Sequence, residues 1–206
     1  MSTSTPLRTI SASAACTIGL ALISTTAMAH PGHGQEVAGN MFAAGLLHPL
    51  TGFDHLLAML AVGMWAALTH NNVRQAIWTP LSFLALLLAG ALAGIAGISL
   101  PAVEPMIMAS LFVLGLLLAS RISLPNWAGV ALVGFFAVFH GLAHGAELPV
   151  GVSATAFIAG FMLSTLALHV TGLAGGFALK QHGQWLIRFA GAGIAAYGIV
   201  LFTSAA

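Results

Sequence analysis

Charge is nearly missing from this sequence. Of its 206 residues, five are Lys or Arg and four are Asp or Glu, 4% in all. Soluble domains carry about 25% charged residues to keep a wetted surface, so a soluble enzyme is excluded. A formal net charge of +1 leaves no basic footprint for nucleic acid. Cysteine is also scarce: Cys16 alone, so no intrachain disulfide can form. The run Ser13-Ala14-Ala15-Cys16 is a poor lipoprotein signal, because no apolar stretch precedes it and Leu is missing three residues before the Cys. No G-x-x-x-x-G-K-[ST] phosphate loop occurs, so the chain does not use ATP through one.

What remains is apolar. Hydrophobic residues make up 59%, the mean hydropathy is +1.03, and 24 glycines suit close helix packing in lipid. The composition predicts an all-α integral membrane bundle. Arg8, an apolar stretch from Cys16 to Ile23, and Ala27-Met28-Ala29 read as an export signal over 1–29, cleaved after Ala29. The other reading is an uncleaved anchor helix. The remainder, 30–206, reads as one membrane domain with six spans near 48–69, 77–98, 104–120, 127–147, 152–177 and 185–203, each near the ~20 residues that cross a bilayer.

The basic residues orient these spans. Arg74, Arg121 and Lys180 fall in alternate connections, and Arg188 lies just inside the last span at the same face. Glu36, Glu104 and Glu147 fall on the other side. Positive residues mark the cytoplasm, so both termini are expected in the periplasm of a bacterial inner membrane. Gly90-x-x-x-Gly94 and the set Gly191, Gly193, Gly198 are expected at tight helix contacts. Three spans in each half would permit an inverted repeat, although the two halves show only weak self-similarity.

Ionisable groups inside a membrane cost ~2.5–3.5 kcal/mol each near its centre on insertion scales, and so need a use. Two clusters stand out. His48-Pro49-Leu50-Thr51-Gly52-Phe53-Asp54-His55 opens the first span. Read as one helix starting near Pro49, it places His48 and His55 on a common face, ~10 Å apart in depth. Asp54 would point elsewhere, as a ligand or as a partner fixing an imidazole tautomer. The second cluster, His140, His144 and Glu147, is spaced i, i+4, i+7 and forms one polar stripe near the outer end of span four. Small residues Gly141, Ala143, Gly145 and Ala146 around it leave room for an ion or a close neighbour. The topology brings both clusters to the outer third of the bilayer, with four imidazoles and two carboxylates for a divalent transition ion.

Other histidines carry weaker signals. His169 in span five is either a deeper stepping-stone for the ion or a helix–helix hydrogen bond. His30 and His33 would begin the exported chain and could capture metal there, or simply be polar. His70 and His182 read as solvated loop residues. Met59, one turn beyond His55, keeps copper open, although Met in apolar helices is usually packing.

The two motifs, with the signal and six spans, resemble the HupE/UreJ family of membrane proteins associated with hydrogenase and urease maturation and regarded as nickel permeases. The resemblance covers essentially the whole chain. It implies that His48, Asp54, His55, His140 and Glu147 are needed for nickel transport, and that His144 occupies a position where the family tolerates His or an aromatic. Cobalt-transporting members make Co2+ the alternative cargo. The reading is therefore a permease rather than an enzyme, with Ni2+ (or Co2+) as transported substrate, no permanently bound cofactor and lipid as surroundings. Whether copies of the chain associate is open. An intramembrane zinc hydrolase using His140, His144 and a span-one His, or a haem protein with one axial His from each helix, are the competing classes.

Overall fold

The computed structural model describes residues 40–148, 153–181 and 183–205. The expected signal segment, His30, His33 and His182 lie outside them. All the described residues fall in one compact unit, and their regular structure is helical. The helices are α1 (Met41–Thr51), α2 (Phe53–Thr69), α3 (Val73–Ala76), α4 (Trp78–Ile95), α5 (Val103–Ser120), α6 (Asn126–Ala146), α7 (Ala154–Leu179) and α8 (Gln184–Ser204). Five stretches are long and apolar enough to cross a membrane: Val73–Ile95, α5, α6, α7 and α8. α1 and α2 together make a sixth, bent by 77° at the break between them. The chain is an all-α membrane bundle.

The bend corrects the expectation of one helix starting near Pro49. The chain is already helical from Met41, because the Asn40 side chain accepts the Ala43 N–H at 3.0 Å as an N-cap. Pro49 therefore lies inside α1, where it has no N–H to give. Two donors then converge on the His48 carbonyl: the Thr51 hydroxyl at 3.1 Å and the Gly52 N–H at 3.2 Å. Gly52 is extended (φ −83°, ψ 107°), and a new helix starts at Phe53 with Asp54 in its first turn, where a negative charge is favoured.

The bundle is built from close helix pairs: α4 with α6, α5 with α8, and α7 with both α2 and α1. Counting the bent pair as span one, these are spans two with four, three with six, and one with five. Exchanging the first three spans for the last three leaves that set unchanged, as an inverted repeat would require. The lesser contact of α2 with α5 has no counterpart of similar extent between α6 and α8.

Reciprocal glycines bring the paired backbones together. A Cβ on Gly90 would strike the Val138 carbonyl, and one on Gly141 would strike that of Leu87. Gly63 and Gly172 do the same for α2 and α7, against the His169 and Leu60 carbonyls. The space beside Gly141 is thus filled by α4 rather than left for an ion. Gly191 and Gly198 pack against α5, but Gly193 meets nothing within 4 Å. Two residues on from Gly191, it points about 200° around the helix, which corrects the expected set.

Charge separates by end. Lys180 Nζ donates to the carbonyls of Ala67 (3.2 Å) and His70 (2.7 Å), and Arg188 Nε to that of Ala119 (3.0 Å). Arg121 donates to the Gln184 side chain at 2.5 Å. Trp65 Nε1–H donates to the Ile122 carbonyl at 3.0 Å and ties α2 to the same end. Elsewhere, Glu104 and Glu147 line one cleft of about 200 Å3 with Ile98, Val103, Leu142 and Ala146.

Candidate metal site

Both sequence clusters meet where α1, α2 and α6 converge. His48 comes from the last turn of α1, Asp54 and His55 from the first turn of α2, and His140 and His144 from the end of α6, which Glu147 caps. Ring centroids of His48 and His144 are 4.7 Å apart, those of His55 and His144 4.6 Å, and those of His55 and His140 5.6 Å. Ligand atoms of His48, His144 and Glu147 lie within 4.8 Å of one another. His48 and His55 are not stacked ~10 Å apart along one helix. The break at Gly52 folds their rings to 5.9 Å.

Hydrogen bonds decide which nitrogen each imidazole presents. The Phe136 carbonyl can only accept, so His140 Nδ1, 2.9 Å away, carries the proton. Its Nε2 is buried and has no hydrogen-bond partner. Asp54 Oδ1 accepts from His55 Nδ1 at 2.9 Å, and His55 Nε2 is likewise buried without a partner. This hydrogen bond is the one the tautomer-fixing reading of Asp54 calls for, a recurrent arrangement beside metal-binding histidines. Gly52 makes room for the pair: a Cβ there would lie 3.1 Å from both Asp54 Oδ1 and His55 Nδ1.

His144 is 5% exposed, and its Nδ1 lies 3.9 Å from Glu147 Oε2, which reaches out to the cleft. Two phenylalanines of α7 pack against the cluster. Phe161 lies 4.6 Å from the His144 ring and 5.9 Å from His48, and Phe157 lies 5.6 Å from His48. Imidazole nitrogens with a carboxylate suit Zn, Cu, Fe, Co or Ni in their divalent state.

A family model described as "HupE / UreJ protein" matches residues 18–201. The chain belongs to the HupE/UreJ family. Protein HupE of Rhizobium leguminosarum bv. viciae is 38% identical over 187 residues, which cover 90% of this chain and 95% of that protein. No solved structure matches.

The remaining candidates of this HupE/UreJ chain fall elsewhere. His169 is 1% exposed and donates from Nδ1 to the Met59 carbonyl across the α2–α7 contact, at 2.8 Å. That is a helix–helix hydrogen bond, and it engages only Nδ1, leaving Nε2 buried without a partner. The Met59 side chain is packed in the core. His70 ends α2, with its Nδ1 3.0 Å from the Ala66 carbonyl. Two features escaped the sequence reading. Glu104 served there only to orient the chain, yet it shares a cleft with Glu147. The Phe157, Phe161, Thr165, His169 series had a visible signal, an i, i+4 spacing along α7.

Proposed function

We propose that this HupE/UreJ chain is a nickel permease of the bacterial inner membrane, with Co2+ as the alternative cargo. Nickel and cobalt transport for hydrogenase or urease is the activity associated with its family. The carrying observation is the convergence of four imidazoles from three helices: His48, His55, His140 and His144, with Glu147 at the rim. A purely structural role does not explain why His55 and His140 each present a buried nitrogen without a partner, since unpaired buried polar atoms are costly.

In this reading a hydrated divalent ion arrives from the periplasm at the cleft of Glu104 and Glu147. It exchanges water for Glu147, His144 and His48, then for His55 and His140. Asp54 and the Phe136 carbonyl hold two imidazoles in the tautomer that ligates through Nε2. Six spans with both termini periplasmic put the Arg121–Lys180–Arg188 end in the cytoplasm. Inward movement of two charges gains ~4.6 kcal/mol per 100 mV, enough for about three decades of accumulation at ~1.4 kcal/mol each.

The test is uptake of trace Ni, Co, Zn and Cu into cells lacking their own nickel importers. Wild-type protein is compared with His140→Ala at matched membrane abundance. Nickel or cobalt accumulation that disappears in the variant supports the permease and ranks its metals. A folded wild-type protein that accumulates none of the four overturns it.

A further inference from the structure

Outside the candidate site, the buried side-chain N and O atoms without a hydrogen-bond partner, among the described residues, are Thr79 Oγ1, Thr165 Oγ1, His169 Nε2 and Arg121 Nε. The third of these lies beside a buried phenylalanine. Phe83 of α4 is 1% exposed, and its ring lies 5.7 Å from that of His140 and 5.0 Å from that of His169. Thr79 is one turn from Phe83 on α4, and Thr165 is one turn from His169 on α7. Both threonines are 0% exposed and His169 is 1% exposed.

These hydroxyls differ from others in the chain. Thr69, Thr171 and Thr203 each donate to a carbonyl four residues back in their own helix, the usual way a helical Thr is satisfied. Thr79 and Thr165 do not. His169 repeats the design of His140: a backbone carbonyl takes the Nδ1 proton and Nε2 is left as a buried lone pair. Its acceptor belongs to a neighbouring helix, so the ring is clamped between α2 and α7.

Depth separates the two imidazoles. His140 lies beside His55, whereas His169 donates to the carbonyl of Met59, one turn further along α2, so it sits about 6 Å deeper at 1.5 Å per residue. The Phe83 ring adjoins both imidazoles and offers no ligand atom. An ion leaving His140 Nε2 inward therefore passes an apolar side chain, then meets a second set of nitrogen and oxygen donors.

We propose that His169 and Thr165 form a second, inner station for a divalent transition-metal ion, beside the Phe83 ring that also adjoins His140. The proposal rests on the transport reading and adds a route to it. The ion passes from His140 to His169 along the Phe83 side chain, and the Thr165 hydroxyl replaces a water ligand. Two separated stations let the cargo be held firmly outside and still released inward.

His169→Asn tests this. An Asn amide nitrogen sits near the position of Nδ1 and keeps a donor for the Met59 carbonyl, but it removes the Nε2 ligand. Ni2+ binding to the full chain in detergent is measured by equilibrium dialysis, and Ni2+ uptake in cells at matched abundance, beside wild type and His140→Ala. The expected result is affinity within twofold of wild type with uptake reduced at least tenfold. Thr165→Val is expected to lower uptake severalfold with affinity unchanged. Wild-type uptake in both variants overturns the inner station and leaves the outer site standing, as does equal loss of affinity and uptake matching His140→Ala. Wild-type protein that carries neither Ni2+ nor any of the other three metals overturns the transport reading, and the station with it.

Discussion

His48 and His144 meet with ring centroids 4.7 Å apart, and each belongs to the last turn of its helix. The last turns of α1 and α6 therefore bring one imidazole each to the same small volume. A helix C-terminus carries about half a negative charge. Such an end near the cluster, with the carboxylates of Asp54 and Glu147, offsets the positive N-terminus of α2 and favours a cation. The bend at Gly52 creates this arrangement, because a straight first span would place the end of α1 elsewhere.

His144→Phe separates ligation from packing. A phenyl ring keeps the contact with Phe161, 4.6 Å away in the native chain, and removes both nitrogens. Metal affinity is expected to fall at least tenfold while the melting temperature in detergent stays near that of wild type. Unchanged affinity would show that His144 only fills space, in keeping with a family position that tolerates aromatics.

Asp54→Asn alters the partner of an imidazole rather than a ligand. The amide can still present an oxygen to His55 Nδ1, but without the charge that fixes the tautomer and raises the basicity of Nε2. Outer-shell partners of this kind are worth about 10–100-fold in affinity. Dialysis of the variant against Ni2+ should show a loss in that range, smaller than that of His55→Ala. A loss as complete as that of His55→Ala would make Asp54 a direct ligand.

The bundle was readable from composition and hydropathy, because lipid leaves the backbone few options besides helix. Five of the six expected spans are single long stretches for the same reason, and the first is the bent pair of α1 and α2. The break at Gly52 was not readable as a break: Pro49, Thr51 and Gly52 each suit a helix start as well as a helix end, and only the cap at Asn40 decides between them. The His140, His144, Glu147 stripe was legible from spacing within one helix. The meeting of His48 with His144 depended on the bend, and the neighbourhood of Phe83 on packing among α4, α6 and α7. Neither leaves a mark in local periodicity.

Gly141→Ala and Gly193→Ala are expected to behave in opposite ways despite identical chemistry. A methyl at 141 would run into the Leu87 carbonyl, whereas one at 193 meets nothing within 4 Å. Overpacking of this kind costs about 1–3 kcal/mol. Here the obstacle is backbone, which moves only if α4 and α6 part and shift His140 from its neighbours. Thermal unfolding in detergent should show a clear loss for Gly141→Ala, with weakened Ni2+ binding, and none for Gly193→Ala. Equal melting temperatures would mean that α4 and α6 are less tightly apposed than described.

The energy source gives the last prediction. In the permease reading the membrane potential drives accumulation, because two positive charges moving inward gain ~4.6 kcal/mol per 100 mV. In proteoliposomes oriented with the Glu104 and Glu147 end outward, a potassium diffusion potential, negative inside, should drive Ni2+ uptake without any pH gradient. Collapsing the potential should reduce accumulation to equal concentrations on both sides. Each 30 mV restored should then raise the limiting ratio about tenfold, because ~1.4 kcal/mol corresponds to one decade. A ratio that follows an imposed pH gradient and ignores the potential would instead point to proton exchange, with Glu147 and the site histidines as the groups to examine.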